Sequence, residues 1–430
     1  MMSRILAAAA GLSLLLAPTT LVAATPTSAA AASAIRIDKA RIDRTLADMV
    51  ASGRASGVSA LLFQDGREVY FGTSGFADRE AKRPMARDTL AQIFSMTKPV
   101  TGVALMQLWE QGKFGLDDPL ARYLPEFGET KVFAGTDAAG KPILKAPDRP
   151  ILIRDILRHT AGFGYGPGPS FPEQEFDRLD PIPLKLDIDL AELGRRLAQV
   201  PLLFEPGTRW HYSAAVDVQA LLVEKLSGQR FEDYVQAHVL QPLGMRETGW
   251  TQPEARFGRL AAVYAKKPGG TLDRVPDTDN RRMNFAPKAL TMGGAGLAST
   301  VDDYMRFARM LLNGGSLDGV RILKPSTVKL MATDQLDPRV TDRLWLPGKG
   351  NGGFGIDFFV RTGQPKDAQE SRGALGEFFW DGMASTLFWV DPANKLTAVF
   401  FVQTVPFDGT LHRDLRKAVY GPDYLGPKGD

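Results

Sequence analysis

The strongest constraint on the fold is where strand-forming sequence falls. Val58–Phe63 and Glu68–Phe71 flank Asp65-Gly66, a dipeptide suited to the positive φ angles of a tight hairpin turn. Near the other end, Ser385–Val390 and Leu396–Gln403 are joined by the turn sequence Asp391-Pro392-Ala393-Asn394. Between them, from about 116 to 290, the chain reads as helices and loops, with helical patterns at 190–199, 214–227 and 231–239. Pro167, Pro169, Pro172, Pro181 and Pro183 mark a long irregular stretch. A lone hairpin is marginal in water, so both ends are expected to meet in one antiparallel sheet. The expected class is α+β: N- and C-terminal strands flanked by helices, with a mostly helical insertion as a second domain. A junction of that kind is a favoured place for a ligand cleft.

Further helices are expected at 98–112, at 301–312 and at about 411–420. Ser299-Thr300 with Asp303 resembles a capping box for the second of these, and Asn313-Gly314-Gly315 ends it.

The first residues read as a secretory signal: Arg4, an apolar run Ile5–Leu16, then small residues. Cleavage is expected near residue 24 or 34, leaving a domain over 35–425. The apolar run is too short to span a bilayer; retention as an uncleaved interfacial anchor is the alternative. No Arg-Arg pair precedes it, which favours the general secretory route, and with no cysteine anywhere in the chain a lipid-anchored lipoprotein is excluded. No later segment reads as a membrane span. A soluble, periplasmic or secreted mature protein is expected. The same lack of cysteine rules out disulfides, thiolate metal sites and a thiol nucleophile. Net charge is only +3, with dispersed basic residues and nothing like a nucleic-acid-binding face.

Three motifs carry chemistry. In Ser95-Met96-Thr97-Lys98, at the start of helix 98–112, residues three apart on a helix lie side by side, about 5–6 Å apart at Cβ. This aims an amine at a hydroxyl. Serine becomes a nucleophile when a neighbouring base takes its proton, and a lysine serves when its pKa is depressed. Tyr212-Ser213-Ala214 lies at a second helix entry. Against Lys98, the Tyr212 phenol can take the Ser95 proton and return it to the leaving alkoxide; taken alone, it reads more readily as a half-buried aromatic with a satisfied hydroxyl. Trp380-Asp381-Gly382-Met383 reads as the start of a strand, where glycine lets backbone approach a ligand. The Met383 N–H, with that of Ser95, can form an oxyanion hole.

S-M-T-K, Y-S-A and W-D-G, in that order, resemble the serine β-lactamase and penicillin-binding protein superfamily, which carries S-x-x-K, then Y-x-N or S-x-N, then K-T-G. The nearest likeness is to class C β-lactamases and, within it, to family VIII carboxylesterases. Arg158-His159-Thr160-Ala161-Gly162, Leu243–Gly249 and Gly293–Thr300 match as well, and the resemblance spans roughly 40–420. It implies a β-lactamase-like fold, an acyl-enzyme on Ser95 and no cofactor or metal.

The departures refine that expectation. Ala214 stands where the amide of Y-x-N would be, and Trp380 where the K-T-G lysine would be. Asp381 adds negative charge, which penalises anionic substrates. Trp380, Asp381 and Gly382 are therefore expected to wall a site for a neutral, partly apolar small-molecule ester. The expected activity is hydrolysis of short-acyl carboxylic esters, with residual β-lactam hydrolysis. Alternatives are a β-lactamase or D-alanyl-D-alanine peptidase, an acyltransferase using the same site, or a non-catalytic binding protein. Which of Lys98 and Tyr212 is the acylation base stays open here.

Other signals are set aside. Gly350–Gly355 spells G-x-G-x-x-G but precedes strand-like Ile356–Val360 instead of a helix. There is no G-x-S-x-G. His159, His211, His238 and His412 show no metal-ligand spacing; His159 is expected to hold a turn, and His211 to be structural, since neighbours on a chain need not face the same cleft, with support of Tyr212 as the lesser alternative.

Overall fold

The computed structural model describes residues 35–277, 284–367 and 369–424. The expected signal segment and residue 425 lie outside them.

The two ends of the chain do meet. Strand Gly57–Gln64 pairs antiparallel with Leu396–Val402, from Val58 opposite Val402 to Gln64 opposite Leu396. The eight-stranded sheet runs, in spatial order, Gly352–Phe354, Phe359–Arg361, Phe378–Asp381, Leu387–Asp391, Leu396–Val402, Gly57–Gln64, Arg67–Asp78 and Arg83–Pro84. Asp65 and Gly66 make the first hairpin turn with φ of 50° and 75°, as that dipeptide permits.

Helices cover both faces, which side-chain alternation makes visible. Phe388 meets Tyr304 and Phe307 of helix Val301–Leu312. Its neighbour Trp389 points the other way and donates to the Tyr420 hydroxyl of helix Gly409–Tyr420 at 3.1 Å. With both faces covered, all seven residues of Leu396–Val402 are buried. Thr300 caps helix Val301–Leu312, its hydroxyl accepting from the Asp303 N–H at 3.3 Å.

The insertion is mostly helical: Ile153–Leu157, Phe171–Leu179, Leu190–Gln199, Ala215–Ser227 and Phe231–Val235, which continues as a π turn Gln236–Leu240. Two small strand pairs, Val132–Thr136 with Pro142–Lys145 and Tyr264–Lys266 with Leu272–Arg274, accompany them. Val58 and Val399 of the sheet, Val100 and Val103 of helix Thr97–Glu110, and Leu193 and Val218 of the insertion share one continuous core. Helix Thr97–Glu110 buries nearly every side chain, so it packs against sheet and insertion together.

The glycine-rich stretch is no phosphate loop. Gly352–Phe354 is itself the edge strand, paired with Phe359–Arg361. Among the described residues, no helix is long and apolar enough to cross a membrane.

Candidate active site

Ser95 sits on a sharp strand-to-helix turn. Strand Ala91–Gln92 pairs with Ala298–Ser299, and Phe94 then takes φ of 45°. That left-handed conformation is costly for a phenylalanine and marks a constrained turn. A 3-10 turn Phe94–Met96 leads into helix Thr97–Glu110. Pro99 falls in the first turn of the helix, where an N–H has no intrahelical partner.

One turn on, Lys98 is buried, with 1% exposure. Its Nζ stands 3.4 Å from Ser95 Oγ, 3.2 Å from the Tyr165 hydroxyl and 2.7 Å from the Gly294 carbonyl oxygen. Burial lowers its pKa to about 8, against the opposing pull of Asp217, Asp357 and Asp381. A neutral amine has two N–H groups and one lone pair. With Gly294 O and the Tyr165 hydroxyl accepting the two N–H groups, the lone pair is left for the Ser95 proton.

Tyr212 is held by His159. The His159 carbonyl accepts from the His211 N–H at 2.9 Å, and its Nδ1 accepts from the Ser213 N–H at 3.2 Å. The backbone is thus gripped on both sides of Tyr212. His159 itself has φ of 58° and no exposure, and burial holds its ring neutral. His211 packs on Phe204, so the histidine acting on the tyrosine is His159. The Tyr212 ring lies under Lys98, with Nζ 4.6 Å from its centroid. Burial raises the phenol's pKa, which hydrogen bonding to Ser95 opposes. The Trp380 indole N–H also lowers it, but that pair falls short of full hydrogen-bond geometry and the indole nitrogen has no other partner among the described residues.

Asp217, unnoticed in the sequence, organises the lysine's carbonyl acceptor. This buried carboxylate accepts from the Gly294 N–H at 3.0 Å. A Cβ on Gly294 would come within 2.9 Å of Asp217 Oδ2, 3.0 Å of the Tyr165 hydroxyl and 3.1 Å of Lys98 Nζ, so any larger residue would displace the polar groups around the lysine. Tyr165 and Gly294 were likewise unassigned. A backbone carbonyl carries no sequence signal, and Tyr165 sits in a Gly/Pro-rich loop without periodicity.

The third motif lies at a strand end, not a strand start: Trp380-Asp381 closes strand Phe378–Asp381, and Gly382-Met383 turn toward Leu387–Asp391. The Gly382 N–H bonds Thr386 O at 3.0 Å. The Thr386 hydroxyl reaches the Ile93 carbonyl at 3.4 Å, tying this turn to the Ser95 strand. A Cβ on Gly382 would collide with Thr386 Oγ1 and the Ile93 carbonyl. Among the described residues, the Ser95 and Met383 N–H groups find no acceptor, as donors awaiting an oxyanion require.

Asp381 is not the unpaired charge the sequence suggested. It forms an ion pair with Lys349 from the 3-10 turn Leu346–Lys349. Trp380 builds the expected apolar wall, its ring 5.5 Å from Tyr212 and 6.2 Å from Trp345. Ser95, Tyr212, Trp380, Asp381, Gly382 and Met383 all line one cavity of about 1140 Å³, extended by Phe176, Leu186, Trp345 and Phe407.

Fold and site together define a serine acyl-transfer architecture. The family model described as beta-lactamase matches residues 42–420, and the chain belongs to that family. Esterase EstB of Burkholderia gladioli is 33% identical, over 89% of this chain and 95% of its own. EstCE1, a hydrolase with promiscuous acyltransferase activity, superposes with a TM-score of 0.73 at 29% identity, covering 89% of this chain and 98% of its own. Simvastatin synthase LovD from Aspergillus terreus shares the fold, with a TM-score of 0.75 at 23% identity over 89% of this chain and 98% of its own. The chain is accordingly a member of a family of serine hydrolases and acyltransferases.

Proposed function

We propose that this protein is an exported serine carboxylesterase that cleaves short-acyl esters of bulky, apolar alcohols. The observation carrying the reading is the buried Lys98 amine, 3.4 Å from Ser95 Oγ with its pKa depressed to about 8. Ser95 Oγ attacks the ester carbonyl carbon. Its proton passes to Lys98, directly or through the Tyr212 hydroxyl, and the carbonyl electron pair moves onto the oxygen facing the Ser95 and Met383 N–H groups. The C–O bond to the alcohol then breaks. Tyr212 protonates the departing alkoxide and recovers a proton from Lys98. Water repeats the sequence on the acyl-enzyme.

The neutral Lys349–Asp381 pair and the apolar wall of Trp380 and Trp345 favour an uncharged ester. The cavity, at about 1140 Å³, exceeds the roughly 300–1,000 Å³ usual for drug-sized ligands. A short acyl group fills little of it, so the alcohol portion is large. That size also favours a second reading: a bulky acceptor alcohol takes the acyl group in place of water, as in the acyltransferase activity named for EstCE1. Export rests on the N-terminal signal; N-terminal sequencing of the secreted chain should begin near residue 25 or 35.

The test is hydrolysis of p-nitrophenyl esters of graded acyl length beside nitrocefin, with wild type and Ser95→Ala. Short-ester turnover lost in Ser95→Ala, with little nitrocefin turnover, supports the esterase reading. Dominant nitrocefin turnover would replace it with a β-lactamase. No Ser95-dependent turnover of either would favour a binding protein.

A further inference from the structure

We propose that Lys349 is a positioning residue for the oxyanion site: it neutralises Asp381, so that this carboxylate does not oppose the negative charge developing at the Ser95 and Met383 N–H groups. The inference rests on the serine acyl-transfer reading above.

Asp381 is only 7% exposed and lies two residues before Met383, on the wall of the same cavity. An oxyanion site works by presenting fixed positive dipoles in a dry environment, where charges act strongly. A bare carboxylate beside it would act with the opposite sign, and weak screening would make that effect large. The chain places the missing cation there from another segment. Lys349 and Asp381 have side chains about 10% exposed each. The Lys349 ammonium stands 5.1, 5.0 and 4.9 Å from the ring centroids of Trp345, Trp380 and Phe407, which fix it over the carboxylate.

The other group facing Asp381 does not substitute. His412 Nδ1 is 3.9 Å from Asp381 Oδ2. Burial lowers the His412 pKa to about 4, so the ring is neutral near pH 7, with Nε2 donating to the Ser385 carbonyl at 2.9 Å. Arg416, nearby on the same helix, is committed to Glu377 at 2.9 Å. The charge on Asp381 also reaches the proton-transfer pair, raising the pKa of both Lys98 and Tyr212. Its neutralisation therefore serves proton removal and oxyanion formation alike.

The test is a double-mutant cycle of Lys349→Met, Asp381→Asn and both together. It is read as kcat and KM on a neutral p-nitrophenyl ester and as the rate of Ser95 labelling by a fluorophosphonate. Labelling also passes through a negatively charged oxygen, so it reports even where the ester chosen is a poor substrate. Lys349→Met should slow kcat and labelling by roughly tenfold or more with KM little moved. Asp381→Asn should move both rates upward, and the double variant should recover most of the loss. Lys349→Arg, which keeps the charge, should recover it too. A double variant as slow as Lys349→Met would make the pair a mechanical tie and overturn the inference, as would a fully active Lys349→Met. If Lys349→Met does not fold, Asp381→Asn decides alone: slower labelling overturns the inference. Wild type that resists labelling overturns the acyl-transfer reading itself, a different result from a labelled wild type whose cycle shows no rescue.

Discussion

Lys98 Nζ donates to the Gly294 carbonyl at 2.7 Å while standing 3.4 Å from Ser95 Oγ. The carbonyl orients the amine without supplying a charge that would keep it protonated. Burial then depresses the pKa to about 8. Lys98 acts as a base only when deprotonated, so activity is lost as pH falls below that value and rises as pH increases through it. The kcat/KM profile on a neutral ester should show one ionisation near pH 8 on its acid side. Lys98→Ala should remove that limb and lower the rate by roughly 10²- to 10⁴-fold.

Tyr212→Phe keeps the ring under Lys98 and against Trp380 and removes only the hydroxyl that meets Ser95. The fold should persist, judged by thermal unfolding. The rate should fall by roughly 10²- to 10⁴-fold, chiefly in kcat, since the phenol moves a proton and does not hold the ester. A fall confined to KM would assign Tyr212 to binding.

The elements legible from sequence were those with their own periodicity and punctuation. Helices Leu190–Gln199 and Val301–Leu312 fall where the apolar pattern and caps put them, and the Asp65-Gly66 hairpin is local chemistry. The three motifs stand out in the sequence because they are defined by side-chain type, and the fold brings their residues to one cavity. What escaped was whatever depends on another segment: the Gly294 carbonyl, Asp217 beneath it, the His159 grip on Tyr212, and Lys349 reaching Asp381. Strand Phe378–Asp381 was overlooked because it has four residues and follows Gly373 and Gly376, so its motif was assigned to the longer strand beyond. That sheet and insertion share buried residues follows from helix Thr97–Glu110, which buries side chains on nearly every side, a pattern that marks a core helix.

Asp217→Asn separates charge from geometry at the lysine. An asparagine oxygen can still accept from the Gly294 N–H, which Asp217 Oδ1 takes at 3.0 Å. The carboxylate's charge raises the Lys98 pKa against the effect of burial. Its removal should lower that pKa, shifting the acid limb of the kcat/KM profile to lower pH and leaving more free amine at pH 7. A limb that stays near pH 8 would show that Asp217 acts on Lys98 only through the loop it anchors.

Asp155 carries the turn from which His159 reaches Tyr212. Its side chain is wholly buried and accepts from Arg149 at 2.6 and 3.0 Å, from the Leu152 N–H at 3.0 Å and from the Thr160 hydroxyl at 3.0 Å, with Arg158 at 3.4 Å. Arg149 is 36% exposed and can turn to solvent, but Arg158 is only 10% exposed and would keep a charge deprived of its carboxylate. Removing one partner of a buried pair costs about 3–5 kcal/mol. Asp155→Ala should lose stability of that order in urea unfolding. Because His159 follows in the same turn at φ of 58°, the surviving folded enzyme should also lose kcat through a displaced Tyr212. Asp155→Asn keeps one oxygen, enough for either the Leu152 N–H, now on Oδ2, or the Thr160 hydroxyl, now on Oδ1, and should lose less of both stability and kcat than Asp155→Ala. Equal losses in the two variants would assign the effect to the charge on Arg158 alone.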